Sequence, residues 1–202
     1  MHKIGGSSRS NLHRSKEYYR CTYICKGDEC GSGSTVRLNG VVATLGSAKS
    51  MKGSDAVYFT TGSRGKDLLQ TDVFGAVKTM QAAKKLGIER YIMLSSIFAL
   101  QPEKWHIDGL DQIMDYNVTK FFADNYLVNQ SGLKYTILQP TNLTEKEGTG
   151  KISLDVTGVT SNPIPDVAKT LAEIIKHDNT IGKVIMMKTG DTPIDEALAS
   201  VK

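Results

Sequence analysis

Tyr116 and Lys120 stand four residues apart in "YNVTK", downstream of a serine pair, Ser95 and Ser96, that closes the apolar run "RYIMLSS". On a helix, positions i and i+4 share a face, so this tyrosine and lysine can address one cleft. A phenol has a reference pKa of ~10. A neighbouring ammonium stabilises the phenolate and lowers that value, which makes the phenol a better acid near neutral pH. A serine hydroxyl beside them would orient an oxygen that gains negative charge. Together these groups suit the protonation half of a carbonyl reduction, provided a hydride donor is held alongside. The pattern alone is weak, since with eight tyrosines a Y-x-x-x-K arises by chance in about half of such chains. Its position, on a helix following a serine-ended strand, gives it weight.

Other residues with chemical potential have blander readings. Trp105 and His106 fall in the loop between the serine-ended strand and the helix, where a substrate lid or proton relay would sit, against an exposed loop histidine. Arg64 and Lys66 in "TGSRGKD" would suit a phosphate or a solvated loop. Asp166 reads as a charge at a helix N-terminus, and Met186 and Met187 as core. Cys21, Cys25 and Cys30 are spaced C-x3-C-x4-C with only His13 nearby. Zinc sites use paired C-x2-C units or a fourth ligand close by, so three free thiols in a reducing compartment are expected and no metal.

The elements that must position these residues are regular from residue 55 onward. "DAVYFT" (55–60), "RYIMLSS" (90–96), "KYTILQP" (134–140) and "GKVIMMKTG" (182–190) are short β-rich apolar runs bounded by turn residues. Between them, "DVFGAVKTMQAAKKLG" (72–87) sets Val73, Val77, Met80 and Ala83 on one helical face and stops at Gly87. Ile113, Met114, Phe121, Phe122 and Tyr126 recur at helical spacing from Leu110 to Leu127. In "PDVAKTLAEIIKH" (165–177), Val167, Leu171, Ile174 and Ile175 share a face behind Pro165 and Asp166. "TPIDEALASV" (192–201) predicts a short helix capped by Thr192, with Pro193 at its first position. Strands alternating with helices imply a parallel sheet covered on both faces. Ligands of such sheets lie beyond the carboxyl ends of the strands. Those ends are "TTG" (60–62), "SS" (95–96) and "QPT" (139–141).

The opening breaks this rhythm. Only ten of the 36 residues from Gly5 to Gly40 are apolar, with no sustained periodicity. "GSGSTVRLNG" has glycines but no preceding strand, and reads as loop. Residues 1–54 carry nine Lys/Arg against three Asp/Glu, while 55–202 carry sixteen against eighteen, within an overall charge of +4. The basic residues form no helical stripe and match no nucleic-acid motif, so no nucleic-acid partner is expected. At 202 residues and 40% hydrophobic, the chain suits one domain with a sizeable core. No apolar run spans a bilayer and "MHKIGGSSRS" is not a secretory signal. A cytoplasmic monomer or homodimer without membrane attachment is expected.

From about Gly53 to Lys202 the chain resembles an atypical short-chain dehydrogenase/reductase of the small NmrA-like or biliverdin-reductase-B-like NAD(P)-binding type. The resemblance is carried, in order, by "GSDAVYFTTGSRGKDLLQTDVFGAVKTMQAAKKLGIERYIMLSS", "YNVTK", "YTILQPTNLTEKEGTGKI", "DVAKTLAEII" and "GDTPIDEAL". It implies a Rossmann-like, doubly wound, mostly parallel α/β sheet and one NAD(P)-binding domain over 1–202. By this resemblance Thr60, Thr61 and Gly62 run beside the cofactor's adenosine half, and Ser95, Pro140, Thr141 and Lys120 lie near the nicotinamide end. Ser96 matches the serine that anchors the substrate carbonyl, and Tyr116 the proton donor. Gln139 and Thr141 replace an arginine and a glycine common in that family.

The opening should read like "KIFVIGATGRVG" followed by a helix. "KI" and "GGSSRS" look like its fragments, with Gly5, Gly6 and Ser7 as the remaining candidates for the phosphate turn. The first βαβ unit is therefore expected to be aberrant or incomplete. Residues 1–52 are expected to be degenerate, with the stretch from about Ser7 to about Lys49 out of frame or otherwise replaced, against a divergent N-terminus. The implied function is hydride transfer from NADPH, ahead of NADH, to a small carbonyl, quinone or related acceptor. The alternatives are a non-catalytic NAD(P)-sensing protein like the NmrA regulators, and an inactive remnant without its phosphate turn.

Overall fold

A computed structural model of the chain describes residues 22–25, 51–107 and 109–202. Gly5, Gly6, Ser7, His13, Cys21 and Cys30 lie outside the described residues, as does nearly all of the stretch from Ser7 to Lys49. Nine strands are described: β1 (Thr22–Cys25), β2 (Ala56–Phe59), β3 (Arg90–Leu94), β4 (Lys134–Pro140), β5 (Asn142–Thr144), β6 (Lys151–Ser153), β7 (Ser161–Pro163), β8 (Lys183–Thr189) and β9 (Thr192–Pro193). The α-helices are α1 (Phe74–Lys85), α2 (Met114–Asn129), α3 (Ile164–Ile174) and α4 (Ile194–Ala199).

Seven strands form one sheet in the order β1-β2-β3-β4-β8-β6-β9. Its centre, β2-β3-β4-β8, is parallel throughout. β6 runs antiparallel to β8, and β9 antiparallel to β6. β5 and β7 pair apart from this sheet. This is a Rossmann-like doubly wound architecture with its ligand rim at the carboxyl ends of β2, β3 and β4. The first unit departs from it, because β1 lies against β2 antiparallel, Thr22 opposite Phe59. A βαβ connection would deliver a parallel neighbour there.

The central strands read as unbroken apolar runs because both faces are covered. Val57, Phe59, Tyr91, Met93 and Ile137 point to one side, against Met80 and Ala83 of α1 and Ala123 and Leu127 of α2. Tyr58, Ile92, Leu138, Ile185 and Met187 point to the other, against Val167, Leu171 and Ile174 of α3 and Ile194 and Leu198 of α4. Burial of this kind contributes about 25 cal/mol per Å² of apolar surface. Among the described residues no helix is long and apolar enough to cross a membrane.

Several local expectations are revised. The helix expected over 72–87 begins earlier, as a π-helical turn at Leu68–Val73, before continuing as α1. It closes where expected, with Gly87 at φ 73°. Thr192 does not cap α4: it belongs to β9, and Pro193 is the N-cap residue, without a side-chain cap bond. The apolar residues recurring along α2 divide: Phe121 and Tyr126 are half-buried and packed, the others are not. Ile113, Met114 and Phe122 are exposed, while Asn117, Thr119, Lys120, Ala123, Asp124 and Leu127 face inward. Trp105 is a packed residue and not part of a lid. It donates its indole N–H to the Phe98 carbonyl at 2.9 Å and packs edge-on to Phe121.

Candidate active site

The carboxyl ends of β2 and β3 open into a cleft of about 390 Å³. Thr60, Thr61 and Gly62 form one wall, Ser95, Tyr116 and Lys120 another. Apolar side chains of the β5 region and α3, including Leu143, Ile164 and Val167, close the third side. The volume is near the lower end for ligand pockets. It is set at the topological position where doubly wound sheets hold their ligands.

Helix α2 brings Tyr116 and Lys120 together as the i, i+4 spacing predicts, with Lys120 Nζ 5.3 Å from the centre of the Tyr116 ring. Lys120 is also held from the opposite wall. Its Nζ lies 3.7 Å from Asp72 Oδ1, and both side chains are almost wholly buried. Asp72 sits in the π-helical turn, and its Oδ2 accepts the Ser63 backbone N–H at 3.0 Å. One carboxylate therefore ties the loop carrying Thr60–Gly62 to the lysine. π-Turns are rare and concentrate at functional sites. This residue escaped the sequence reading, because nothing in periodicity marks a π-turn.

A second buried carboxylate lies one turn beyond Lys120. Asp124 is fully buried, and its Oδ2 accepts the Gln139 side-chain amide at 2.9 Å. Burial pushes its carboxyl up to about 7, against the opposing pull of the Ser95 hydroxyl, the Gln139 amide and Lys120. Ser95 Oγ and Asp124 Oδ1 are both buried without a hydrogen-bond partner of good geometry. Burial pulls the Lys120 ammonium down, but the surrounding Tyr116, Asp72 and Asp124 outweigh it and hold it above its usual range. Lys120 is therefore a fixed cation at neutral pH.

Of the residues singled out from sequence, Thr60, Thr61, Gly62, Arg64, Ser95, Tyr116 and Lys120 meet in the cleft, whereas Lys66 is not among its lining residues. Ser96 is not among its lining residues, although its neighbour Ser95 is. Pro140 accepts the Ile97 N–H through its carbonyl at 3.0 Å. Thr141 is bound to Asn162 Oδ1 through both its N–H and its hydroxyl, each at 2.9 Å. Those two residues buttress the rim from behind. Gln139, standing where the resemblance expects arginine, serves Asp124. His106 is exposed and apart from the cleft lining. Asp166 gathers Thr149 N–H and Gly150 N–H at 2.9 and 2.8 Å and so secures a loop.

The cleft's donor set suits a dinucleotide. Ser95 offers a buried, unpartnered hydroxyl. Lys120 offers a fixed ammonium, and Thr60 to Gly62 a wall of small side chains. The fold and this cleft define a Rossmann-like NAD(P)-binding protein. The chain belongs to the NAD(P)H-binding family, whose model matches residues 36–178. The match begins at Val36, so the family pattern extends upstream of Gly53, where the resemblance was expected to begin.

Among relatives, the uncharacterized sugar epimerase YhfK of Bacillus subtilis (strain 168) is 39% identical over 158 residues, covering 75% of this chain and 71% of its own. The oxidoreductase ylbE of Lactococcus lactis is 51% identical, with a TM-score of 0.74 over 76% of this chain and 70% of its own. A wide-type short-chain dehydrogenase/reductase of Veillonella parvula, solved in complex with NADP, shares the fold. It is 17% identical, with a TM-score of 0.56 over 75% of this chain and 70% of its own.

Proposed function

We propose that this protein is an NAD(P)-dependent oxidoreductase of the atypical short-chain class, reducing a small carbonyl, quinone or related acceptor. The observation that carries the reading is the convergence of Tyr116, Lys120 and Ser95 on one cleft at the strand ends. A reduced nicotinamide supplies the hydride when bound. The chain's own residues do the rest. Tyr116 donates the proton to the developing alkoxide. Lys120, held charged by Asp72, stabilises the phenolate that results and hydrogen-bonds the nicotinamide ribose. The Ser95 hydroxyl, rather than that of Ser96, orients the acceptor oxygen. Leu143, Ile164 and Val167 give the acceptor an apolar bed. Thr60, Thr61 and Gly62 flank the adenosine side. NADPH is the proposed cofactor and NADH the alternative.

The test is fluorescence titration with NADPH and then NADH, followed by NAD(P)H oxidation across a panel of aldehydes, ketones and quinones. Saturable micromolar binding and turnover of at least one acceptor are expected. Tyr116→Phe should lower turnover by about 100-fold with cofactor affinity unchanged. Unchanged turnover would remove Tyr116 from the chemistry. Tight binding without oxidation of any acceptor would favour a cofactor-sensing role, and no binding by the folded chain an inactive remnant.

A further inference from the structure

We propose that Asp124 and Ser95 form a proton relay into the cleft. In it, the carboxylic acid of Asp124 passes its proton to Ser95 Oγ as the Ser95 hydroxyl passes its own to a ligand oxygen. The inference builds on the oxidoreductase reading and supplies a proton path beside Tyr116.

Two orphaned atoms carry it. Ser95 Oγ and Asp124 Oδ1 are both buried and neither has a hydrogen-bond partner. Orphaned polar groups in a folded interior are destabilising and call for an explanation. The other oxygen of Asp124 is committed, because Gln139 donates to Oδ2 at 2.9 Å. An amide donor on Oδ2 leaves Oδ1 as the oxygen to carry a proton. The neighbouring Ser95 hydroxyl is placed to interact with that carboxyl, and Ser95 also lines the cleft. A hydroxyl can accept one hydrogen bond while donating another, which is what a relay requires.

Lys120 lies close enough to act on Asp124, but its ion pair is with Asp72. The charged group acting on Asp124 is Lys120 from its own helix, which in turn meets Tyr116 and, from the π-turn, Asp72. Gln139 on β4 and Ser95 after β3 complete the shell. With its carboxyl pushed up to about 7, Asp124 has both protonation states within reach at neutral pH.

The step balances. On this path the acceptor carbon takes a hydride, and its oxygen takes the Ser95 proton in place of the Tyr116 proton. Ser95 Oγ regains a proton from Asp124, which is left as a carboxylate near Lys120 and is reprotonated from water before the next cycle.

Two arms test it. The first does not need turnover: infrared difference titration of the purified chain should show a protonated carboxyl band that titrates near neutral pH. That band should vanish in Asp124→Asn and shift in frequency in Ser95→Ala. A missing band, or one indifferent to Ser95→Ala, overturns the relay. The second arm uses NADPH and an acceptor that the unaltered chain reduces. Tyr116→Phe should keep a residual rate that falls as pH rises through about 7. Adding Asp124→Asn should cut that residue by about tenfold or more. An unaffected residual rate and pH profile would sink the proposal. Where no acceptor is reduced, the oxidoreductase reading fails, and the infrared arm still decides the relay. Where Asp124→Asn does not fold, the Ser95→Ala frequency shift decides it.

Discussion

Lys120 reaches the cleft through partners that lie far from it in sequence. The i, i+4 spacing to Tyr116 was readable, because both residues ride one helix. Asp72 was not, since its reach across the cleft depends on the π-turn that precedes α1. The serine pair shows a similar boundary: the strand end was legible, but which of the two serines lines the cleft depends on the backbone path after Leu94. The pairing of Lys120 with Asp72 has a measurable consequence. Removing one member of a buried ion pair strands the other charge, at about 3–5 kcal/mol. Lys120→Met should therefore lower unfolding stability by about that amount in urea titration, whatever it does to activity. A second prediction concerns Asp124. Its carboxyl is raised from an ordinary value of 3.8 to about 7. The folded chain thus binds its proton more tightly than the unfolded one, and this contribution is full below about pH 4 and lost as pH rises through about 7. Asp124→Asn should flatten the fall in stability between those limits; an unchanged slope in denaturation series from pH 5 to 8 would contradict the burial argument.

The central strands were legible because parallel strands covered on both faces become continuous apolar runs. Helix α2 was legible as a helix but not in its orientation. Of the apolar residues recurring there, Ile113, Met114 and Phe122 are exposed and Phe121 and Tyr126 half-buried, while the inward face mixes Ala123 and Leu127 with Asn117, Lys120 and Asp124. Each of these polar groups finds a partner inside: Asn117 donates to the Leu110 carbonyl, Lys120 lies beside Asp72, and Asp124 accepts from Gln139. The two- and three-residue strands were invisible, being too short to show periodicity. They nonetheless impose tight contacts. A Cβ on Gly190 would sit 2.5 Å from Ser153 N and 2.6 Å from Ile152 C, both backbone atoms that cannot swing away. Gly190→Ala should cost about 1–3 kcal/mol, seen as a lowered Tm, by forcing β6 away from the turn between β8 and β9. An unshifted Tm would mean that this junction is looser than its geometry implies.

At the scale of the molecule, ligand linkage offers a check that needs no substrate. A cofactor that binds only the folded chain at 100 times its Kd raises stability by about 2.7 kcal/mol. Thermal unfolding with saturating NADPH should show a Tm increase, and no shift would argue against a competent site. At the end of the sheet opposite the cleft, Arg90 at the start of β3 donates to the Lys134 carbonyl at 3.0 Å, to Thr136 at 2.9 Å and to Thr180 at 3.3 Å. Thr136 in turn donates to the Thr180 carbonyl at 2.7 Å. One guanidinium thus clasps β3, β4 and the approach to β8 at a rim with no part in ligand contact. For a protein engineer this separates two kinds of position. Libraries that vary Leu143, Ile164 and Val167 change the lining of the cleft while the clasp keeps strand register, whereas diversity spent at Arg90 or Thr136 is expected to cost stability without reaching the cleft.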